Sequence, residues 1–269
     1  MEIKEGYNYK ILDFGKYGTI THALWQEPEF IKQWKEIFKA WGFGEEHIDN
    51  LRKYITPGTT AIDIGAHTGW ETLMLALAVG KDGMVLAFDP NPIIFKILHE
   101  NIIRNREIAE MKVFPYAIMS NSDRFVFYFT KNQWNGGYSQ GIARGIGAYG
   151  NTEAIVVDGK TLKDVLIEQN ITIKNKVSFI AIDTEGYDKQ VLQSIDWLIE
   201  KDRPVLQVEL YPALNEWERK ELFWTLDELN YNIFLSGKVY KYNLGKQYFL
   251  NDFISEKQVM DFICISKDK

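Results

Sequence analysis

The chain has 269 residues, 46% of them hydrophobic and 25% charged, which excludes a disordered chain and predicts one folded domain with or without an appendage. A single cysteine, Cys264, excludes an internal disulfide framework. A net charge of −6, with no signal-peptide pattern and no apolar run of membrane length, argues against nucleic-acid or membrane binding and for a cytoplasmic protein.

Phe30, Trp34, Ile37, Phe38 and Trp41 recur at helical spacing, so residues 1–54 are predicted to form a helical, aromatic extension that caps the sheet edge or acts as a lid. A domain over 55–269 follows. Thr59 to Ile64 reads as a buried strand that stops at Gly65, and Trp70 to Val79 as a helix. Met84 to Phe88 is a second strand, closed by Asp89-Pro90. Pro92 to Arg106 is a helix: Pro92 suits its first turn, and Ile94, Ile97, Leu98 and Ile102 share one face. Lys112 to Tyr116 is a third strand. Arg124 to Thr130 and Glu153 to Val157 are extra strands, and the Gly-, Asn- and Tyr-rich segment Asn132 to Asn151 between them reads as a long loop. Further strands follow at Val177 to Ile182, Val205 to Leu210, Asn232 to Leu235 and Phe262 to Ile265, with helices at Tyr187 to Trp197 and Glu216 to Leu229. Strands alternating with helices imply right-handed βαβ units and a mostly parallel sheet.

The segment Asp63-Ile64-Gly65-Ala66-His67-Thr68-Gly69 ends a strand and opens a helix, the position of a nucleotide-binding loop in such a fold. It is not the dinucleotide fingerprint, because His67 stands where a second glycine would admit a pyrophosphate. Asp63 would repel a pyrophosphate and attract a cation. S-adenosylmethionine carries an ammonium and a sulfonium and no phosphate, so the acidic strand end suits it better than NAD or ATP. Asp89 ends the next strand, where an acid accepts hydrogen bonds from ribose hydroxyls. Asp89-Pro90-Asn91-Pro92 also has the residue types of a turn and helix cap.

These motifs, taken with Ala181-Ile182-Asp183-Thr184-Glu185-Gly186-Tyr187 and with Arg203-Pro204 running into Val205 to Glu209, resemble the FkbM-type S-adenosylmethionine-dependent methyltransferases over roughly residues 55–236. The family more often has Asn where His67 stands and Val where Thr184 stands. The resemblance implies a Rossmann-like class I methyltransferase fold. That is an α/β fold with a mostly parallel seven-stranded sheet, helices on both faces, an antiparallel last strand and a small inserted β-hairpin. It also implies O-methylation of a hydroxyl on a small molecule, natural product or sugar, so the partner is a small-molecule or glycan acceptor and the product S-adenosylhomocysteine. Asp63 and the loop Gly65, Ala66, His67, Thr68 and Gly69 would hold the methionine part. Asp89, with Pro90 and Asn91, would hold the ribose. Ala117 and Ile118 would lie near the adenine.

Asp183 and Glu185 would lie near the transferring methyl, Asp183 also beside the cofactor. Either is a candidate general base if burial raises its pKa, and either would also serve to cap the following helix. Glu209, Tyr211, Tyr138 and Ser139 are candidate acceptor contacts. Asp183, Glu185 and Glu209 are also oxygen ligands of the kind Mg²⁺ takes, which makes a metal site an alternative to a metal-free one. His67 is read as a loop hydrogen-bonder or a base, and Cys264 as a buried strand residue. Two other functions compete: an accessory protein that binds S-adenosylmethionine without turnover, and an NAD-linked oxidoreductase, which Asp63 and His67 disfavour.

Overall fold

The computed structural model describes residues 7–25, 44–130, 138–139, 152–236, 242, 244–256, 258 and 260–268. In chain order the elements are β1 (Tyr7–Asp13), β2 (Thr19–Trp25), α1 (Glu45–Leu51), β3 (Thr60–Ile64), α2 (Trp70–Val79), β4 (Met84–Phe88) and α3 (Pro92–Arg104). Then come β5 (Glu110–Phe114), β6 (Tyr116–Ile118), β7 (Asp123–Thr130), β8 (Tyr138–Ser139), β9 (Thr152–Lys160), α4 (Leu162–Glu168), β10 (Val177–Ile182), α5 (Asp188–Ser194) and α6 (Asp196–Asp202). The chain closes with β11 (Val205–Leu210), α7 (Glu216–Glu228), β12 (Tyr231–Ser236), β13 (Leu244–Tyr248), α8 (Leu250–Ser255) and β14 (Met260–Ser266).

The main sheet has the order β13-β12-β14-β11-β10-β3-β4-β5. Strands β5, β4, β3, β10 and β11 are parallel, and β14 runs antiparallel between β11 and β12. Every residue of β3, β4 and β10 is buried. Strands covered on both faces need continuous apolar sequence, and Thr-Ala-Ile-Asp-Ile and Met-Val-Leu-Ala-Phe supply it with two polar exceptions, Thr60 and the one charged residue, Asp63. One face packs Ala61, Val85, Ala87, Phe179, Ala181, Val205 and Ile263 against α1, α2 and α3. The other packs Ile62, Ile64, Leu86, Phe88, Ile180 and Val208 against α4 to α8. The order of strands reverses between β3 and β10, which opens a crevice at their C-terminal ends where open α/β sheets bind ligands.

The fold is the Rossmann-like α/β class read from the sequence, with three additions. An eighth strand, β13, pairs antiparallel with β12; its sequence Leu-Gly-Lys-Gln-Tyr lies at the sheet edge, mostly exposed, and has no apolar run to mark it. The expected inserted hairpin, β7 with β9, is part of a separate four-stranded sheet of order β6-β9-β7-β8. Residues 7–25 form an antiparallel hairpin, β1 with β2, that the sequence reading does not anticipate. The helix expected from Phe30 to Trp41 lies outside the described residues, as does the loop at 132–151 except for Tyr138 and Ser139. Among the described residues no helix is long and apolar enough to cross a membrane.

The hairpin docks on α3 through side-chain amides. Asn101, fully buried, accepts from the Ala23 N–H at 2.5 Å and donates to the Thr68 carbonyl at 2.7 Å. Asn105 accepts from the Thr21 N–H and donates to the Thr21 carbonyl, both at 2.8 Å. These bonds satisfy backbone groups of β2 that have no strand partner on that side. Arg104 completes the joint, its guanidinium 3.8 Å from the Tyr9 ring centroid and bonded to Glu100 at 2.7 Å.

Candidate active site

The turn from β3 to α2 places Gly65 (φ 91°), His67 (φ 49°) and Gly69 (φ 87°) in the left-handed region. Gly65 is there for space as well as for φ. A Cβ on it would stand 1.7 Å from the Asp183 carbonyl oxygen. The Asp183 N–H donates to the Ile64 carbonyl at 2.9 Å, and the Gly65 and Ala66 N–H groups both donate to the Phe88 carbonyl at 2.9 Å. The loop is thus clamped to the ends of β4 and β10. A left-handed residue that is not glycine is most often Asn, Asp or His. That explains His67 at a position where the resembling family more often has Asn: both suit the same backbone.

Asp89 is 5% exposed and accepts from the His67 N–H at 2.9 Å and the Asn91 N–H at 2.8 Å. The cap of α3 is Asn91, which accepts from the N–H groups of Ile93 and Ile94. Pro90 is half-buried beside it. Burial pushes the Asp89 carboxyl up to about 7 despite its two donors. Asp63 is 3% exposed, accepts from the Thr72 hydroxyl, and is likewise pushed up to about 7 by burial. Above it Glu71 is raised by burial and by the Asp63 charge, and takes the Tyr242 hydroxyl at 2.7 Å from each carboxylate oxygen.

Asp183 follows β10 and is open to the crevice, while its carboxyl is raised to about 6 by desolvation and the nearby Asp63 charge. Glu185 sits at φ 54° and is raised to about 8, chiefly by burial and then by Asp183 and Asp188. Neither caps the next helix. The N-cap is Tyr187, with no side-chain cap bond; Asp188, in the first turn, ties down the preceding turn instead, accepting from the Thr184 hydroxyl at 2.9 Å and the Gly186 N–H at 3.2 Å. Glu209 is 6% exposed on β11. Tyr211 is half-buried just beyond β11.

Ala117 and Ile118 lie in β6, paired with Gly159 and Lys160, against the end of β4. Phe114 stacks on Phe88 at 5.3 Å and on Tyr116 at 6.4 Å, which makes an aromatic wall there. Tyr138 and Ser139 form the short strand β8 beside Tyr128 and Phe127, away from the main sheet; their side chains lie outside the described residues. The structure does not arrange Asp183, Glu185 and Glu209 as a ligand set: among the described residues no three His, Cys, Asp or Glu are grouped to hold a metal ion. Cys264 is fully buried in β14 with its thiol pushed up by burial, as a strand residue would be.

Sequence reasoning missed Thr72, Glu71, Asp188, Asp261 and Tyr242. Thr72 and Glu71 had a usable signal, being polar residues in the first turn of a helix that follows a glycine loop. Asp261 and Tyr242 had none, since only the sheet order brings the chain's last quarter to this edge. His22 of β2 was read as ordinary. It is buried edge-on against Trp70 at 5.2 Å behind the loop, where burial and His67 push its pKa down to about 3.

The acids make a testable stability statement. Asp63 keeps its proton to about 7 when folded and to 3.8 ordinarily. The folded chain therefore binds more protons in that window, and stability falls as pH rises through it. Asp63→Asn is expected to raise the stability of the ligand-free protein at pH 8 by up to about 4 kcal/mol and to flatten its dependence on pH. Thermal melts from pH 5 to pH 8 check this; an unchanged slope refutes it.

Residues 63–241 match the family model described as the methyltransferase FkbM domain. None of the curated proteins compared matches the chain. Among solved structures, a methyltransferase FkbM from Methylobacillus flagellatus KT is similar at 14% identity, over 78% of this chain and 44% of that one, with a TM-score of 0.47. A TehB-like SAM-dependent methyltransferase from Corynebacterium glutamicum is similar at 10% identity, over 89% and 97% of the two chains, with a TM-score of 0.45. Aeropyrum pernix fibrillarin with natively bound S-adenosyl-L-methionine is similar at 8% identity, over 79% and 68%, with a TM-score of 0.42. The chain spans less than half the length of the first of these.

Proposed function

The chain belongs to the FkbM methyltransferase domain family, and on that premise we propose that it transfers a methyl group from S-adenosylmethionine to a hydroxyl of a small molecule, natural product or sugar, releasing S-adenosylhomocysteine. One observation carries this reading. Asp63, Asp89 and Asp183 end three adjacent strands at the switch point, and among the described residues none of them forms an ion pair. Each has its carboxyl raised by burial, so a cationic ligand would relieve the site and a pyrophosphate would worsen it. The residues present therefore fit the cofactor.

When bound, the cofactor supplies a methyl group activated by its sulfonium. The chain's own residues do the rest. Asp89 spends one lone pair per oxygen on the loop and keeps others for the ribose hydroxyls. Asp63 and the Gly65–Gly69 backbone face the ammonium. Ala117, Ile118 and the Phe88–Phe114 pair wall the adenine. Asp183 takes the acceptor's proton: it is open to the crevice, and its pKa of about 6 leaves it ionised yet basic at neutral pH. In this reading 55–269 form the catalytic domain and 1–54 an extension to it, cap or lid.

Calorimetric titration tests the proposal. S-adenosylmethionine is expected to bind and NADH not to bind; the reverse overturns the reading. Asp89→Ala should weaken cofactor affinity by about 1.5–3 kcal/mol through loss of hydrogen bonds to a charged acceptor. Cofactor binding with no turnover on a broad panel of hydroxylated acceptors would favour the accessory role instead.

A further inference from the structure

Asp183, Glu209 and Asp261 stand level across three adjacent strands. Ala181 pairs with Gln207 and Ile182 with Val208, which sets Asp183 beside Glu209, and Glu209 pairs directly with Asp261. Residues two or four away on these strands, Ala181, Ile263 and Val205, pack toward α2, so the three acids share that face. Like charges directly opposite on neighbouring strands destabilise a sheet. Among the described residues, none of the three forms an ion pair, and the only relief is a hydrogen bond between the Asp183 and Glu209 carboxyls.

Two further observations point to a missing donor. Glu209, 6% exposed, has its Oε2 atom buried with no hydrogen-bond partner. Gln207, two residues back on the same face, has its Oε1 atom buried and equally unpartnered. Both are acceptors, and an unmet buried acceptor is costly. The cofactor's ammonium is accounted for by Asp63 and the loop, one strand or more away from Glu209 and Asp261. A metal ion is a poor occupant, because no ligand group of three is formed among the described residues.

We propose that the methyl acceptor carries a protonated amine, and that this ammonium docks on Glu209 and Asp261 with the Gln207 carbonyl as its third acceptor. The inference rests on the methyl-transfer reading of the site and sharpens it. An ammonium offers three donors and one positive charge, which matches the two unmet oxygens of Glu209 and Gln207 and the facing carboxyl of Asp261. Acceptors bearing phosphate, sulfate or carboxylate at this point are excluded by the same field.

Three pyranoses that differ in one charge test it: glucosamine, glucose and glucuronate, each titrated near pH 7 into protein saturated with S-adenosylhomocysteine. Glucosamine is expected to bind at least tenfold more tightly than glucose, and glucuronate more weakly than either. Glu209→Gln/Asp261→Asn should erase the preference and raise the melting temperature, since it removes facing like charges while keeping shape. Glu209→Gln alone should reduce the preference in part. Glucosamine binding no tighter than glucose, or a preference that survives the double substitution, overturns the proposal. So does Mg²⁺ alone stabilising the wild type but not the double variant. Failure of S-adenosylhomocysteine to bind at all defeats the methyl-transfer reading and this inference with it; binding of the product with failed sugar arms defeats only the inference.

Discussion

Gly65→Ala is expected to abolish S-adenosylmethionine binding and to destabilise the fold by about 3–5 kcal/mol. Two costs add. The residue sits at φ 91°, where a side chain is strained, and its new Cβ would lie 1.7 Å from the Asp183 carbonyl oxygen. That oxygen is backbone and cannot rotate aside. Moving it means separating the ends of β3 and β10, which breaks the Asp183 N–H to Ile64 bond and swings Asp183 and Glu185 with it. Gly69→Ala makes the comparison: its Cβ meets a movable group, the Leu98 Cδ1 at 2.7 Å, so strain at φ 87° is the main penalty and the loss is smaller. Urea denaturation and calorimetric titration of both variants read the difference. A Gly65→Ala protein with the wild-type midpoint would show that the two strand ends are not held together.

Asp183→Asn is expected to lower turnover by about 100- to 10,000-fold while cofactor affinity is retained. The amide keeps the shape and loses the basic oxygen. The base must be deprotonated to act, so wild-type kcat/KM should rise with pH through about 6, the value to which burial and Asp63 raise Asp183. Were Glu185 the base, the rise would fall near 8. A limb near 8 that vanishes in Glu185→Gln and persists in Asp183→Asn would transfer the role to Glu185.

The crevice edge of the sheet was legible in the sequence where its residues are local. Asp63, Gly65 and Gly69 fall within seven positions, and Asp89 follows a strand whose buried run is unmistakable. A parallel strand covered on both faces must be apolar throughout, so one acid in Thr60–Ile64 stands out. What was lost depends on distance along the chain. Tyr242 reaches Glu71 across 171 positions, and Asp261 meets Glu209 only because β14 returns antiparallel beside β11. The hairpin at 7–25 was missed because its outer positions are mixed polar and apolar and its docking uses the amides of Asn101 and Asn105 rather than an apolar stripe. Helix α2 hid its orientation for the opposite reason: all ten of its residues are buried, so no polar face marks which side meets the sheet.

Asn101 has a consequence beyond holding the hairpin. One carboxamide joins the Ala23 amide to the Thr68 carbonyl, and Thr68 belongs to the loop that closes the crevice. A ligand that favours one geometry of that loop must favour the seated hairpin by the same free energy, because linkage is reciprocal. Residues 7–25 precede the 63–241 span matched by the family model, yet Asn101 ties them to the loop of the candidate site. Whatever that loop holds would thus be coupled to the seating of a hairpin that lies outside the matched span.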